Sequence, residues 1–187
     1  MSNKNILKSA YVILLAMILP LLSVEVSKAS TADPAAVQDV ASQLAELEGQ
    51  AVIVERSAGT LRNLSMSHNS MWESHVYYLR NLKEDINGMG LLFAKLEQMK
   101  PQASEDQQTA IENVRAHLVA LAQRTTDAIE LSRGGTGNLR QIPYQDAVAD
   151  LYAQAQIVNQ TLDTIVDYHD ANDRLQKLEG SHDEPVI

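Results

Sequence analysis

The chain has 187 residues, 24 acidic against 15 basic, giving a net charge of −9, and it contains no cysteine. That balance repels phosphate backbones, and no basic stripe interrupts it, which argues against nucleic acid as a partner. The missing cysteine excludes disulfides, a lipid-modified cysteine, covalent c-type haem attachment and a thiol nucleophile.

The first segment, residues 1–29, has the order of a secretory signal peptide. Lys4 and Lys8 precede an apolar run, Ala10 to Leu22, and small and polar residues follow in "SKAS" and "STAD". The run holds Pro20 and is well short of the roughly 20 apolar residues a spanning helix needs. Cleavage is expected after Ala29, on the Ser27-x-Ala29 pattern, with Ala32 as the second choice, leaving no stable membrane anchor. Removal takes Lys4, Lys8, Lys28 and Glu25, leaving 12 basic and 23 acidic residues. The expected location is the periplasm or the cell exterior.

The rest of the chain divides into four amphipathic segments, helices expected at about 34–64, 70–100, 104–133 and 143–179. In the first, Asp33 and Pro34 form a start signal. Val37, Val40, Leu44, Leu47, Ala51, Val54, Ala58 and Leu61 then alternate at three and four residues, the mark of a narrow buried seam. "NLSMSHNS", 63–70, is rich in weak helix formers and reads as a turn.

The second segment carries Trp72, His75, Leu79, Leu82, Ile86, Met89, Phe93 and Leu96 on its seam. The phase runs straight through "INGMG", 86–90, so Asn87-Gly88 is read as lying inside a helix, with Gly88 and Gly90 marking a close helix approach or a mild bend. Ser104 and Gln107 form a capping box for the third, whose seam is Ile111, Val114, Leu118, Leu121, Thr125 and Ala128. Gly134 supplies its stop. The linker "GGTGNLRQI", 134–142, reads as flexible. Pro143 starts the fourth, with Tyr144, Val148, Leu151, Ala155, Val158, Leu162, Ile165 and His169 on its seam, and residues 180–187 form a tail.

Four comparable segments joined by short loops predict an all-α fold, an antiparallel up-down-up-down four-helix bundle. A monomer is expected. The rival is one long coiled coil over residues 37–96 in an oligomer, because the first seam continues in phase into the second.

The histidines invite a metal, but the patterns oppose one. The Glu-x-x-His pattern of a di-iron bundle occurs once, at Glu179 and His182 beside the tail, where two are needed, and His-Glu-x-x-His is absent. "DYHDAND", 167–173, lacks the glycine and distal glutamate of a calcium loop and reads as a solvated acidic face. In the expected bundle His75 lies near the level of Val148, His169 near Leu96 and His117 between them, so the histidines do not converge. No metal site, catalytic residue or resident cofactor is predicted. Haem held by His169 and Met99 is the alternative, because both belong to one end of the core.

The mature chain has seven aromatic residues, and Trp72, Tyr77, Tyr78, Tyr144 and Tyr152 fall at the opposite end. His68, Trp72, His75 and Tyr144 are the candidate ligand-binding residues, since aromatic walls with a few polar groups suit a small-ligand or peptide pocket. The competing expectation is that the rings plug the bundle mouth, with His75 hydrogen-bonded inside it. No glycine loop for phosphate and no Gly-x-Ser-x-Gly elbow is present. The sequence therefore predicts a non-catalytic interaction module whose partner is a protein, a peptide or a small molecule. An extracytoplasmic ligand-sensing bundle is a further alternative.

Overall fold

The structure, a computed structural model, describes residues 34–67 and 71–180. The predicted signal peptide and nearly all of the predicted tail lie outside the described residues, as does His68. The protein is all-helical, with no strand among the described residues.

Four long helices dominate: α1 (Pro34–Met66), α2 (Trp72–Met99), α3 (Glu105–Ser132) and α5 (Ile142–Gly180). A 3-10 turn, Lys100–Gln102, joins α2 to α3, and a single-turn helix α4 (Thr136–Leu139) lies between α3 and α5. No helix among the described residues is long and apolar enough to cross a membrane.

The three-and-four alternation dictates which residues are inside. One continuous core takes Val40, Leu44, Leu47 and Leu61 from α1, and Leu79, Leu82, Met89 and Leu96 from α2. It adds Ile111, Val114 and Leu121 from α3, and Tyr144, Val148, Leu151 and Leu162 from α5. A fully buried leucine or isoleucine contributes on the order of 1.5–3 kcal/mol of transfer free energy, so these seams supply the main stabilisation. α1 packs against α2 and α5, and α3 packs against the same two helices.

Several boundaries differ from the sequence reading. α1 runs on to Met66, because Ser65 lies on the inner face, buried, and its hydroxyl donates to the Arg62 carbonyl within the last turn. The seam of α2 is wider than predicted: Leu92 is buried and Phe93 only half-buried. Val37, Ile165 and His169, at the lower ends of their seams, are half-buried as well. The phase through Asn87-Gly88 does belong to one continuous helix. Gly88 and Gly90 do not mark a close approach, however, since a Cβ added at either would meet no atom within 4 Å. The close approach is at Gly59, under Tyr152.

The capping box is present as read. The Ser104 hydroxyl accepts from the Gln107 N–H, and the Gln107 side chain accepts from the Ser104 N–H. Gln107 also does something its cap role did not require. It is fully buried, and its Nε2 donates to the Val37 carbonyl at 2.9 Å, tying the start of α3 to the start of α1.

Candidate functional site

The aromatic end is built from the last turn of α1, the first turns of α2 and α5, the end of α3, and α4. Its centre is a buried polar pair. His75 lies on the inner face of α2 and is 0% exposed; Tyr144, one residue after Pro143 in the first turn of α5, is 1% exposed. His75 Nδ1 and the Tyr144 hydroxyl are 2.8 Å apart, and the rings meet edge to face at 5.5 Å. Sixty-nine residues of sequence separate them. Burial disfavours the charged form of each group. It pushes the imidazole below its ordinary value of 6.5 and the phenol well above 10. At neutral pH both groups are therefore uncharged, and the pair is a neutral hydrogen bond in a dry interior.

Trp72 sits one turn before His75 on α2, half-buried. Its Nε1–H donates to the Ser132 carbonyl at 3.1 Å. That carbonyl, one of the last on α3, also accepts from the Gly135 N–H at 3.2 Å. Asn138 Nδ2 donates to the Leu131 carbonyl at 3.3 Å, and the Ser132 hydroxyl donates to the Ile129 carbonyl at 2.8 Å. The last carbonyls of a helix lack the usual partners within it, and here Trp72 of α2, Asn138 of α4, the Ser132 hydroxyl and the Gly135 N–H supply them.

This arrangement replaces the flexible linker expected over 134–142. Gly135 has φ +75°, a left-handed conformation that favours glycine. Gly134 leaves room for Asn138, whose Nδ2 would lie 1.8 Å from any Cβ placed there. The two glycines let the chain turn tightly enough for α4 to fold back on α3, and Leu139 is buried against the core.

Of the four candidate ligand-binding residues, Trp72, His75 and Tyr144 are brought together, and His68 lies outside the described residues. The three engage protein groups rather than lining open space. The recess at this end, a cleft of about 120 Å3, is lined by Ser65, Met66, Ser67, Thr136, Leu139, Arg140 and Gln145. Sequence reasoning missed all seven. The only available signal was the polar density of 63–67 and 134–141, which reads as loop. Tyr77 is exposed and meets Tyr78 edge to face at 5.4 Å, while Tyr152 lies under the Arg62 guanidinium at 5.3 Å.

The opposite end holds the haem candidates. Met99 packs against the core at the end of α2. Half-buried His169 stacks edge-on at 5.8 Å against Tyr168, which is exposed and donates its hydroxyl to Asp106 at 3.2 Å. His117 lies midway, its carbonyl accepting from Gln154 Nε2 at 3.2 Å. Among the described residues, no group of three or more His, Asp or Glu side chains is gathered where it could hold a metal ion.

A second recess, shallow and open, runs along α3 and α5 past Asn113, Ile157, Gln160, Thr161, Thr164 and Ile165.

Compared with known families, characterised proteins and solved structures, the chain matches none significantly.

Proposed function

We propose that the chain is an exported, non-catalytic interaction module, an antiparallel up-down-up-down four-helix bundle that binds a protein or peptide through its surface. One observation carries the binding mode: the recess at the aromatic end is only about 120 Å3, and Trp72, His75 and Tyr144 do not line it. Small-molecule sites commonly enclose about 300–1,000 Å3. The polar groups beside it are engaged in hydrogen bonds between helices, which favours an outer face as the binding surface.

The cross-helix bonds support the bundle reading through their register. Gln145 reaches Ser65, and Asn159 reaches Glu55, so α5 numbers rise as α1 numbers fall. The bonds from Gln154 to His117 and from Tyr168 to Asp106 give α3 and α5 the same opposition. Arg115 with Glu97, and Glu112 with Lys100 of the 3-10 turn that follows α2, do so for α2 and α3. Export rests on the charge, apolar and small-residue order of residues 1–29.

Native mass spectrometry of the protein purified from the envelope or medium of its own host tests this reading. A monomer beginning at Ser30, with a second polypeptide bound, is the supporting result. A haem adduct lost in His169→Ala would replace it with the cofactor-binding alternative. A full-length chain found only in the cytoplasm would sink the export reading.

A further inference from the structure

We infer that His75 and Tyr144 form an acid-sensitive latch, which holds the start of α5 and the α4 turn against α2 and α3 while His75 is neutral and releases them when it is protonated. The geometry carries this. The ring is completely enclosed, and its Nδ1 faces the Tyr144 hydroxyl at 2.8 Å. With its own proton on Nε2, the neutral imidazole accepts the phenol hydrogen at Nδ1. An imidazolium carries hydrogen on both ring nitrogens, so Nδ1 then demands an acceptor, and the hydroxyl hydrogen must swing away inside an apolar core. Keeping the charge in place costs the desolvation of an ion. Moving α5 away instead lets water reach it.

The surrounding charges do not reverse that preference. Arg62 on α1, Glu73 on α2, Glu130 on α3, Arg133 just after α3, Arg140 just after α4 and Asp146 on α5 are all exposed. Three cations and three carboxylates nearly cancel, and water screens them. Asp127 on α3 is half-exposed. Burial, not a neighbouring charge, is what holds the His75 pKa down. A group whose folded pKa is lowered contributes its full stability above the unfolded value, here near 6.5. That stability is lost as pH falls from there through the folded value.

The only tryptophan of the chain reads the latch directly, because Trp72 lies one turn from His75 and is hydrogen-bonded to the α3 terminus. Trp72 emission and helical circular dichroism are followed from about pH 8 to about pH 5 in the full mature chain, the range in which an unperturbed histidine changes charge. The expected result is a red shift of Trp72 emission below the ordinary histidine value, with most helicity kept. His75→Gln should hold the neutral-pH emission throughout, while His68→Gln should behave as wild type. A flat wild-type trace, or the same transition in His75→Gln, overturns the inference. If His75→Gln does not fold, NMR titration of the wild-type His75 ring decides. A midpoint below 6.5 that coincides with the Trp72 shift is expected. A midpoint at or above 6.5, or one separate from the Trp72 shift, overturns it.

Discussion

Gly59 on α1 lies directly beneath the Tyr152 ring of α5: a Cβ at that position would stand 3.2 Å from Tyr152 Cε2. The guanidinium of Arg62, one turn on along α1, lies over the same ring at 5.3 Å. The ring therefore meets both the backbone and a guanidinium of α1. This is where α1 and α5 approach closely.

Alanine substitutions separate that glycine from the others. Gly49, Gly88 and Gly90 are all helical and face open space. Each change to alanine should stabilise by about 0.5–1 kcal/mol, because glycine is the costlier residue inside a helix. Gly59→Ala should gain clearly less, since the ring must shift by a few tenths of an ångström. Urea midpoints compare the four directly. An equal gain at Gly59 would contradict the close approach.

Gln107 should matter more than the cap residue it assists. Ser104→Ala removes one end of the capping box and should cost about 1 kcal/mol. Gln107→Ala removes the other end and also the bond to the Val37 carbonyl, inside a fully buried site. A cost of about 2–3 kcal/mol is expected, since the variant loses both bonds and the packing of a fully buried side chain. Hydrogen exchange offers a second readout: Gln107→Ala should speed exchange at the start of α1 as well as in α3.

Tyr144→Phe should cost about 1–3 kcal/mol at neutral pH, because it leaves buried His75 Nδ1 without the hydroxyl it faces. Tyr77→Phe, on an exposed ring, should change stability by less than about 0.5 kcal/mol. Thermal unfolding measured at one pH for both variants checks the contrast.

The ion pairs should divide by exposure. Arg124 and Asp150 are 3.8 Å apart, with side chains 49% and 61% exposed, so Asp150→Asn should shift stability by less than about 0.5 kcal/mol. Arg115 and Glu97 are more enclosed, and Arg115→Ala should cost about 1 kcal/mol, partly through its lost alkyl packing. Raising salt should weaken the first pair and leave the second nearly unchanged.

What could be read from the sequence follows the range of the interactions. The helix phases, the persistence of α2 through Asn87-Gly88 and the Ser104–Gln107 cap all depend on residues within a few positions of one another, and local patterns encode them. The pairing of His75 with Tyr144 and the bond from Gln107 to Val37 span 69 and 70 residues. All three polar side chains, His75, Tyr144 and Gln107, lay on predicted seams or caps, but no spacing rule names a partner that far away. The 134–142 segment failed for another reason. Its glycines were read as freedom, whereas Gly134 and Gly135 permit a tight turn that Asn138 and Trp72 then fasten.

The neighbours of α1 carry a consequence for how the chain is made. Its two main packing partners are α2, which follows it at once, and α5, the last helix among the described residues. A ribosome delivers the seam of α1 long before that of α5 emerges to cover it. Until then the first hairpin has one apolar flank open to water. Its closure is a late event, exposed to chaperones and to association with other nascent chains. Loss of the final helix should therefore produce an aggregating chain rather than a smaller stable one.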